Sequence, residues 1–517
     1  RGRRASMSMG AMFSSRVHTA WRVSLVVAML ARCTAMTAPK RVVLKFGGSS
    51  VRDAQRITEV CKLVSTLIEQ DGIQPCLVCS AMGKTTNGLL LAADTAINEQ
   101  SVDLSSVRQL HEESMSTLGV AGTTYGDEIL ELLDRCERTL EGVALLGELS
   151  ARTRDLVVSF GERMSGRMVA ATLLNMGVPA TQYEAWDVGV RTTSEFGEAS
   201  VLEESWSLIP KQFETMAGTV PVVTGFIGKD PDGRITTLGR GGSDLTASLL
   251  GAAARFDEVQ VWKDVDGILT ADPRICQAAR PVTRVSFDEA AELAYFGAQV
   301  LHPLAMQPCM RADVPFRVKN SYNPSAEGTL ISTVEAEMDV DAELNVPLVK
   351  AITSKDGVQL IDIQSTRMLG AYGFLSTVFA AFSKWQLSID VIASSEVSVS
   401  LTLNKNQIRS RKERGEEVTE SSPSLVGLID DLEQVAEVAV SGGHSIITLI
   451  ANVRRSNEVL AIVCTVLSKL GIEIKMVSQG ASKVNISIVV PQERSVEAVQ
   501  ELHRVFFEER QAELETS

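Results

Sequence analysis

From about residue 41 to residue 335 the chain alternates short, β-rich apolar runs with longer amphipathic segments. RVVLKF, PCLVCSA, PVVTGFIG, EVQVWKDV and FRVKNS read as strands. RMSGRMVAATLLNM and DLTASLLGAAARF read as helices, rich in small residues that suit packing on a sheet. Strands separated by helices predict an α/β domain with a mainly parallel sheet, whose ligands gather at the carboxyl ends of the strands.

After about residue 345 the pattern changes and repeats itself. VQLIDIQS, the helical GFLSTVFAAFSKW, then LSIDVIAS and VSVSLTL form one unit; HSIITLIANV, NEVLAIVCTVLSKL, IEIKMVSQ and KVNISIVV form the second. Each reads strand, helix, strand, strand, with period-two alternation in the strands, which predicts two small α+β domains of βαββ type. The charged stretch NKNQIRSRKERGEEVTESSPS, residues 404–424, lies between them and reads as a flexible loop. The expected organisation is a leader over 1–40, the α/β domain over 41–335, a first unit over 345–404, a linker over 405–430 and a second unit over 431–508.

Charge sets the first forty residues apart. The chain of 517 residues carries a net −14, yet residues 1–40 hold seven basic residues and no acid, which leaves −21 on the remainder. A body that acidic is a poor partner for nucleic acid or an anionic membrane, and neither is expected. The Arg- and Ser-containing head reads as an organelle-targeting peptide, for a plastid or alternatively a mitochondrion. Its apolar run from Val23 to Leu30 is far too short to span a bilayer. Translated upstream sequence is the blander reading of the same head, since the chain starts with Arg. Eight scattered cysteines point to a reducing compartment. Cys76 and Cys79 have C-x-x-C spacing but lie in an apolar strand-like run with no second ligand pair, so they are expected in the core and no metal site is expected.

Two glycine segments carry candidate chemistry. In VVLKFGGSSV, Gly47 and Gly48 let backbone N–H groups cradle an anion at a strand end, and Lys45 projects a positive charge over it. The lysine precedes the glycines, so this is not the P-loop spacing. SAMGKTTN at 80–87 imitates a P-loop tail, but Val78 stands where the first glycine belongs. In TTLGRGGSDLTASLL, Arg240, Gly241, Gly242, Ser243 and Asp244 open a helix, where unpaired N–H groups favour a carboxylate or phosphate; Asp244 can also serve as a helix cap. VWKDVDGILTADPR offers Lys263 and Asp264 either to a nucleotide or to a solvated turn. Glu162 in SFGERMSG is either a buried substrate ligand or a first-turn acid. None of the five histidines lies in the glycine-rich loops, so histidine general-base chemistry has little support.

In their order along the chain, KFGGSS, SAMGKTTN, SFGERMSG, TLGRGGSDLTA, VWKDVDGILTADPR and FGAQVLHP closely resemble the motifs of aspartate kinases, within the amino-acid kinase superfamily. STRMLGAYGFL, SIDVIASSEVSVSLTL and MVSQGASKVNISIVV resemble that family's paired ACT domains. The resemblance covers about residues 41–508 and is greatest to the monofunctional plant form. It implies a three-layer kinase domain followed by two α+β ACT domains, paired as a homodimer through the ACT domains.

By that resemblance, Lys45 contacts the transferred phosphoryl group, Gly47, Gly48 and Ser50 cradle the phosphates, and Asp244 orients Lys45. Thr86, Glu162, Arg240 and Ser243 hold aspartate, with Arg240 on its α-carboxylate and Glu162 on its ammonium. Lys263, Asp264 and Arg274 serve ATP, with Mg²⁺ carried mainly by the ATP phosphates. Leu269 and Gln299 stand where members often have Tyr and Lys, and Ala371 where bacterial members can have Ser. Met368, Phe374, Leu375, Ser388, Ile389, Asp390, Ser395 and Glu396 match the effector-binding text of lysine-sensitive relatives, with threonine as the alternative effector. The implied reaction moves the ATP γ-phosphoryl group to the β-carboxylate of L-aspartate. The rival readings are another amino-acid kinase and a catalytically silent ACT sensor; the intact Lys45, Arg240 and Asp244 argue against the second.

Overall fold

The computed structural model describes residues 39–216, 218–297, 300–333, 347–364, 373–395, 397–404, 423–451, 455–479 and 485–509. Among these, eight strands form the first sheet: β1 (Arg41–Phe46), β2 (Gln74–Cys79), β3 (Ala180–Tyr183), β4 (Val220–Thr224), β7 (Glu258–Lys263), β8 (Arg284–Ser286), β9 (Phe316–Asn320) and β10 (Thr329–Ser332). A two-stranded ribbon of β5 (Ile227–Lys229) and β6 (Ile235–Thr237) lies apart from it. The order is β3-β4-β2-β1-β7-β9-β10-β8. Pairing is parallel from β3 to β9; only the β9–β10 step is antiparallel.

β1 lies near the middle of this sheet, and its nearly unbroken apolar run is what a strand covered on both faces requires. Val42, Leu44 and Phe46 enter one layer with Ile57, Leu89, Ile129 and Phe160, while Val43 enters the other with Leu250, Leu293 and Met306. The first layer is built by helices α1 (Ala54–Asp71), α2 (Thr85–Glu99), α3 (Ser105–Leu118), α4 (Thr124–Leu146) and α5 (Ala151–Asn175). The second holds α6 (Ser205–Phe213), α7 (Gly242–Ala253), α8 (Phe287–Tyr295) and α9 (Pro303–Ala312). Cys76 and Cys79, three apart on β2, fall on opposite faces of the sheet and enter different layers, so they share no ligand. No helix among the described residues is long and apolar enough to cross a membrane.

The second sheet is antiparallel, with six described strands in the order β12-β13-β11-β14-β16-β15. These are β11 (Val349–Gln364), β12 (Ile389–Ser394), β13 (Ser398–Asn404), β14 (Glu437–Ala451), β15 (Met476–Gln479) and β16 (Asn485–Pro491). They carry α10 (Phe374–Lys384), α11 (Pro423–Glu433), α12 (Ser456–Leu470) and α13 (Ser495–His503). Two features differ from the boundaries expected from the repeat. Residues 423–430, expected as linker, belong to α11, whose Leu425, Leu428 and Leu432 pack on Ile361, Val378 and Phe382. β11 also serves both units: Val349 and Ile352 join the core of the second, Ile361 and Ile363 that of the first. Its mate β14 runs alongside it through both halves. A 16-residue strand is nearly three times the usual length, and alternation alone does not show that it changes cores midway. Residues 405–422 and the leader to residue 38 lie outside the described residues.

Candidate active site

The carboxyl ends of β1, β2, β4 and β7 lie side by side along one edge of the sheet, where a parallel sheet is expected to hold its ligand. Lys45 stands at the end of β1, 6% exposed, and its Nζ lies 2.6 Å from Oδ1 of Asp244. Lys263, at the end of β7, donates from Nζ to the other oxygen, Oδ2, at 3.0 Å. Asp244 sits in the first turn of α7. Burial alone would raise its pKa, but the two ammonium groups overcome that and hold it below the ordinary aspartate range.

The glycines permit this crowding. A side chain on Gly48 would meet the carbonyl oxygens of Ala81 and Gly83 at 3.0 and 3.1 Å, so the two loops touch through bare backbone. Gly241 caps α7 with φ at +73° and would strike His302 at 2.8 Å if it carried a Cβ. Next to this loop, Phe226 holds a left-handed φ of +71°, a strained conformation for an aromatic residue.

Glu162 lies in α5, 3% exposed, and Oε1 accepts a 3.3 Å hydrogen bond from the Ala81 N–H, while Oε2 has no partner. Burial pushes its pKa up to about 8, opposed only in part by that N–H and by Lys45. A buried carboxyl with one oxygen unserved suits a cationic ligand. Thr85 and Ser165 are also buried with unpartnered hydroxyls. The sequence reading missed both; Ser165 stands one helical turn from Glu162, a spacing that could have flagged it. Thr86, singled out in the sequence, is half-buried at the start of α2. Arg240 is exposed and makes no ion pair among the described residues, whereas Ser243 is buried against Gly225.

Toward the outer side, Asp264 is exposed and Arg274 forms a bidentate pair with Asp272, at 3.0 and 2.6 Å, on the surface. The Ser50 side chain is fully buried, with the Trp262 carbonyl and the Ser321 hydroxyl as its partners.

The amino acid kinase family profile matches residues 40–320, and the ACT domain profile matches residues 447–506. Aspartokinase 1, chloroplastic, of Arabidopsis thaliana is 44% identical over 476 residues, which cover 90% of this chain and 80% of that protein. The chain belongs to the aspartokinases. As such it is an ATP-dependent phosphotransferase acting on the carboxylate of aspartate. The crystal structure of Escherichia coli aspartokinase III with aspartate and ADP, in its R-state, superposes with a TM-score of 0.70 at 31% identity, covering 91% of this chain and all of that one. The same enzyme with lysine and aspartate, in its T-state, gives 0.66 at 31% identity, covering 90% and 99%.

In the ACT region of this aspartokinase, the effector-matching residues are not all open. Leu375 is 39% exposed, Phe374 is partly buried in the first-unit core, Ser388 and Ser395 lie at the surface and Ile389 is half-buried. Met368 and Glu396 lie outside the described residues. Asp390, one of the effector-matching residues, has a fully buried carboxylate already in use. Lys355 donates to Oδ2 at 3.0 Å, and Tyr295, from helix α8 of the kinase domain, donates its hydroxyl to Oδ1 at 2.7 Å.

Proposed function

We propose that this aspartokinase transfers the γ-phosphoryl group of ATP with Lys45 on the moving group, the Gly47 and Gly48 backbone around the phosphates, and Lys263, Asp264 and Arg274 toward the nucleotide. Arg240 receives the α-carboxylate of aspartate and Glu162 its ammonium, with Thr86 and Ser243 beside them. Ser50 belongs to the same cradle, closing its turn by the bond from its N–H to the Gly47 carbonyl while its hydroxyl is held by Ser321. The observation that carries the reading is the single Asp244 carboxylate gripping two lysines at adjacent strand ends. That grip presents two cations where the charge of the phosphoryl oxygens has to be neutralised. The β-carboxylate of aspartate is ionised at neutral pH, so no general base is needed; in-line positioning and charge neutralisation supply the catalysis. Asp244 is already occupied by the lysines, so the donor set here suits magnesium held through the phosphate oxygens of ATP, where it supplies further neutralisation. The product is 4-phospho-L-aspartate.

Lysine is the proposed feedback effector. A lysine-bound relative of similar fold supports it, as does the match of the segment around Asp390 to lysine-sensitive members; threonine is the alternative. A homodimer through the ACT region is favoured by the apolar residues Leu375, Phe379 and Ile392, exposed on α10 and the edge strand β12. The acid-free leader and the chloroplastic relatives favour the plastid.

ATP-dependent acyl-phosphate formation from aspartate, trapped as the hydroxamate with and without lysine, tests the reading. Turnover suppressed by lysine is expected. Turnover indifferent to lysine overturns the effector assignment, and turnover that survives Lys45→Ala overturns the role given to that lysine.

A further inference from the structure

The turn that follows β1 is tied to the end of β9 by a largely buried hydrogen-bond network. Ser321 follows β9, and its hydroxyl lies 2.9 Å from Ser50 Oγ and 3.0 Å from the Lys263 carbonyl oxygen. One hydroxyl carries one proton, so either Ser321 donates to Lys263 and accepts from Ser50, or Ser321 donates to Ser50 and Ser50 to the Trp262 carbonyl at 3.3 Å; both arrangements keep the Ser50–Ser321 bond. The Ser321 N–H reaches the same Lys263 carbonyl at 2.8 Å. Arg56, from α1 and only 5% exposed, donates Nη2 to both the carbonyl and the hydroxyl of Ser321, each at 3.0 Å. Its guanidinium lies 3.6 Å from the centre of the Tyr322 ring, and the Tyr322 hydroxyl donates to the Ser49 carbonyl at 3.0 Å.

This network joins two separate parts of the site. Ser49 and Ser50 end the turn that begins at Gly47, and Lys263 carries one of the two ammonium groups on Asp244. Ser321 touches both, one through Ser50 and the other through the Lys263 backbone. Its bonds therefore set the spacing between the turn and the lysine pair. Arg56 donates Nη2 to the Ser321 oxygen while its Nη1 is ion-paired to Glu59. With its charge partnered and both ends of the guanidinium engaged, the buried side chain has one favourable placement, which makes the clamp stiff.

We propose that Ser321 is a positioning residue for phosphoryl transfer, oriented by Arg56 and acting through Ser50 and the Lys263 backbone. Neither Ser321 nor Arg56 touches the reacting atoms. Their effect is on how closely the backbone of the turn and the Lys45–Lys263 pair converge on one phosphoryl group, a placement whose loss by an ångström can cost about 100-fold in rate.

Steady-state kinetics of Ser321→Ala, Ser321→Thr and Arg56→Lys, each with a melting temperature, test this. Ser321→Ala is expected to lower kcat about 10- to 100-fold and to raise KM for ATP, with KM for aspartate unchanged. Ser321→Thr, which keeps the hydroxyl, is expected to recover most of that loss. A Ser50→Ala/Ser321→Ala double variant is expected to lose little more than Ser321→Ala alone, since that variant already lacks the Ser50 bond. Unchanged kcat and KM for ATP in Ser321→Ala would overturn the proposal. So would a loss in kcat that Thr does not recover, or one that tracks the melting temperature and shifts both KM values equally. If Ser321→Ala does not fold, Arg56→Lys carries the test: it keeps the charge but lacks the guanidinium's planar fork, and the same selective loss is expected. Full activity in Arg56→Lys would overturn the part given to Arg56.

Discussion

Glu162 occupies a place where a carboxylate is comfortable only beside a cation. Without one its pKa stands near 8, so at neutral pH the free enzyme holds it mostly protonated. On the proposed role of Glu162, aspartate binding through its ammonium requires the carboxylate and must expel that proton. The expected outcome is a kcat/KM for aspartate that rises up to about tenfold per pH unit toward pH 8 and then levels, since this ratio reports ionisation in the free enzyme. Glu162→Gln should abolish the rise, and a pH profile of the wild type that is already flat from pH 6 would contradict it. Stability moves in the opposite direction. The folded pKa lies above the unfolded one, so the folded state binds the extra proton, and this contribution is lost as pH climbs from the ordinary glutamate range through about 8. Asp244 is the reverse case, a buried anion that needs its lysines. Asp244→Asn leaves Lys45 and Lys263 facing each other without a counter-charge. It should cost roughly 3–5 kcal/mol in denaturant unfolding as well as abolishing turnover.

Elements meet at this site with almost no clearance. The end of β4 touches the start of α7, where a Cβ on Gly225 would lie 2.7 Å from the Ser243 Cβ and 3.0 Å from its Cα. Both neighbours belong to a helix already pinned by Thr246, whose hydroxyl accepts the Phe226 N–H at 3.1 Å. Gly225→Ala must therefore push the helix start away from the sheet, moving Ser243 and Asp244 together. A stability loss of about 1–3 kcal/mol is expected with a larger drop in kcat, read by thermal unfolding and hydroxamate trapping. Near wild-type activity would show that the helix start can yield without moving Asp244. The same economy of space explains α5, whose Gly161 and Gly166 sit where side chains of α2, β3 and β4 press closest.

At the scale of the whole molecule, the kinase domain meets the second sheet and its helices both through Ala271 and Cys276, which enter the core beside α12 and α13, and at the end of α8. Phe296 inserts among Val358, Val391 and Met476, and Gly297, with φ at +132°, approaches the Ser354 carbonyl where a Cβ would lie 2.5 Å away. The chain then returns to His302, which rests against Gly241 of the Arg240 loop. Tyr295 lies at the head of this path, hydrogen-bonded to Asp390 with Lys355 4.5 Å from its ring centre. If lysine is the effector, as proposed, and places its ammonium on Asp390, it has to displace Lys355 and loosen the Tyr295 contact. Effector and contact would then oppose each other, and by linkage each would weaken the other. Tyr295→Phe removes the hydroxyl that favours the effector-free arrangement. The lysine concentration for half-inhibition should fall about tenfold, the factor for ~1.4 kcal/mol of a hydrogen bond to a charged group. An inhibition titration in which that concentration stays put or rises would rule out the competition.

The sequence by itself determined the local elements and the chemistry carried within single segments. β1 with Lys45 and its two glycines, the Arg240 loop opening a helix, Glu162 on a helix, and the alternating strands after residue 345 all follow from patterns a few residues long. Those patterns are legible because propensity, periodicity and turn chemistry act between near neighbours. What only the tertiary structure decided involves partners far apart in the chain. Ser50 faces inward because it meets Ser321, 271 residues away. Asp390 is occupied because β11 brings Lys355 and α8 brings Tyr295 to it. β11 divides itself between two cores together with β14, which pairs along its whole length and likewise gives Val438 to the first core and Ile447 and Leu449 to the second. The order β3-β4-β2-β1-β7-β9-β10-β8 likewise arises from which apolar faces bury one another. A strand's alternation shows which side chains share a face; what they face is settled only when the sheets and helices pack.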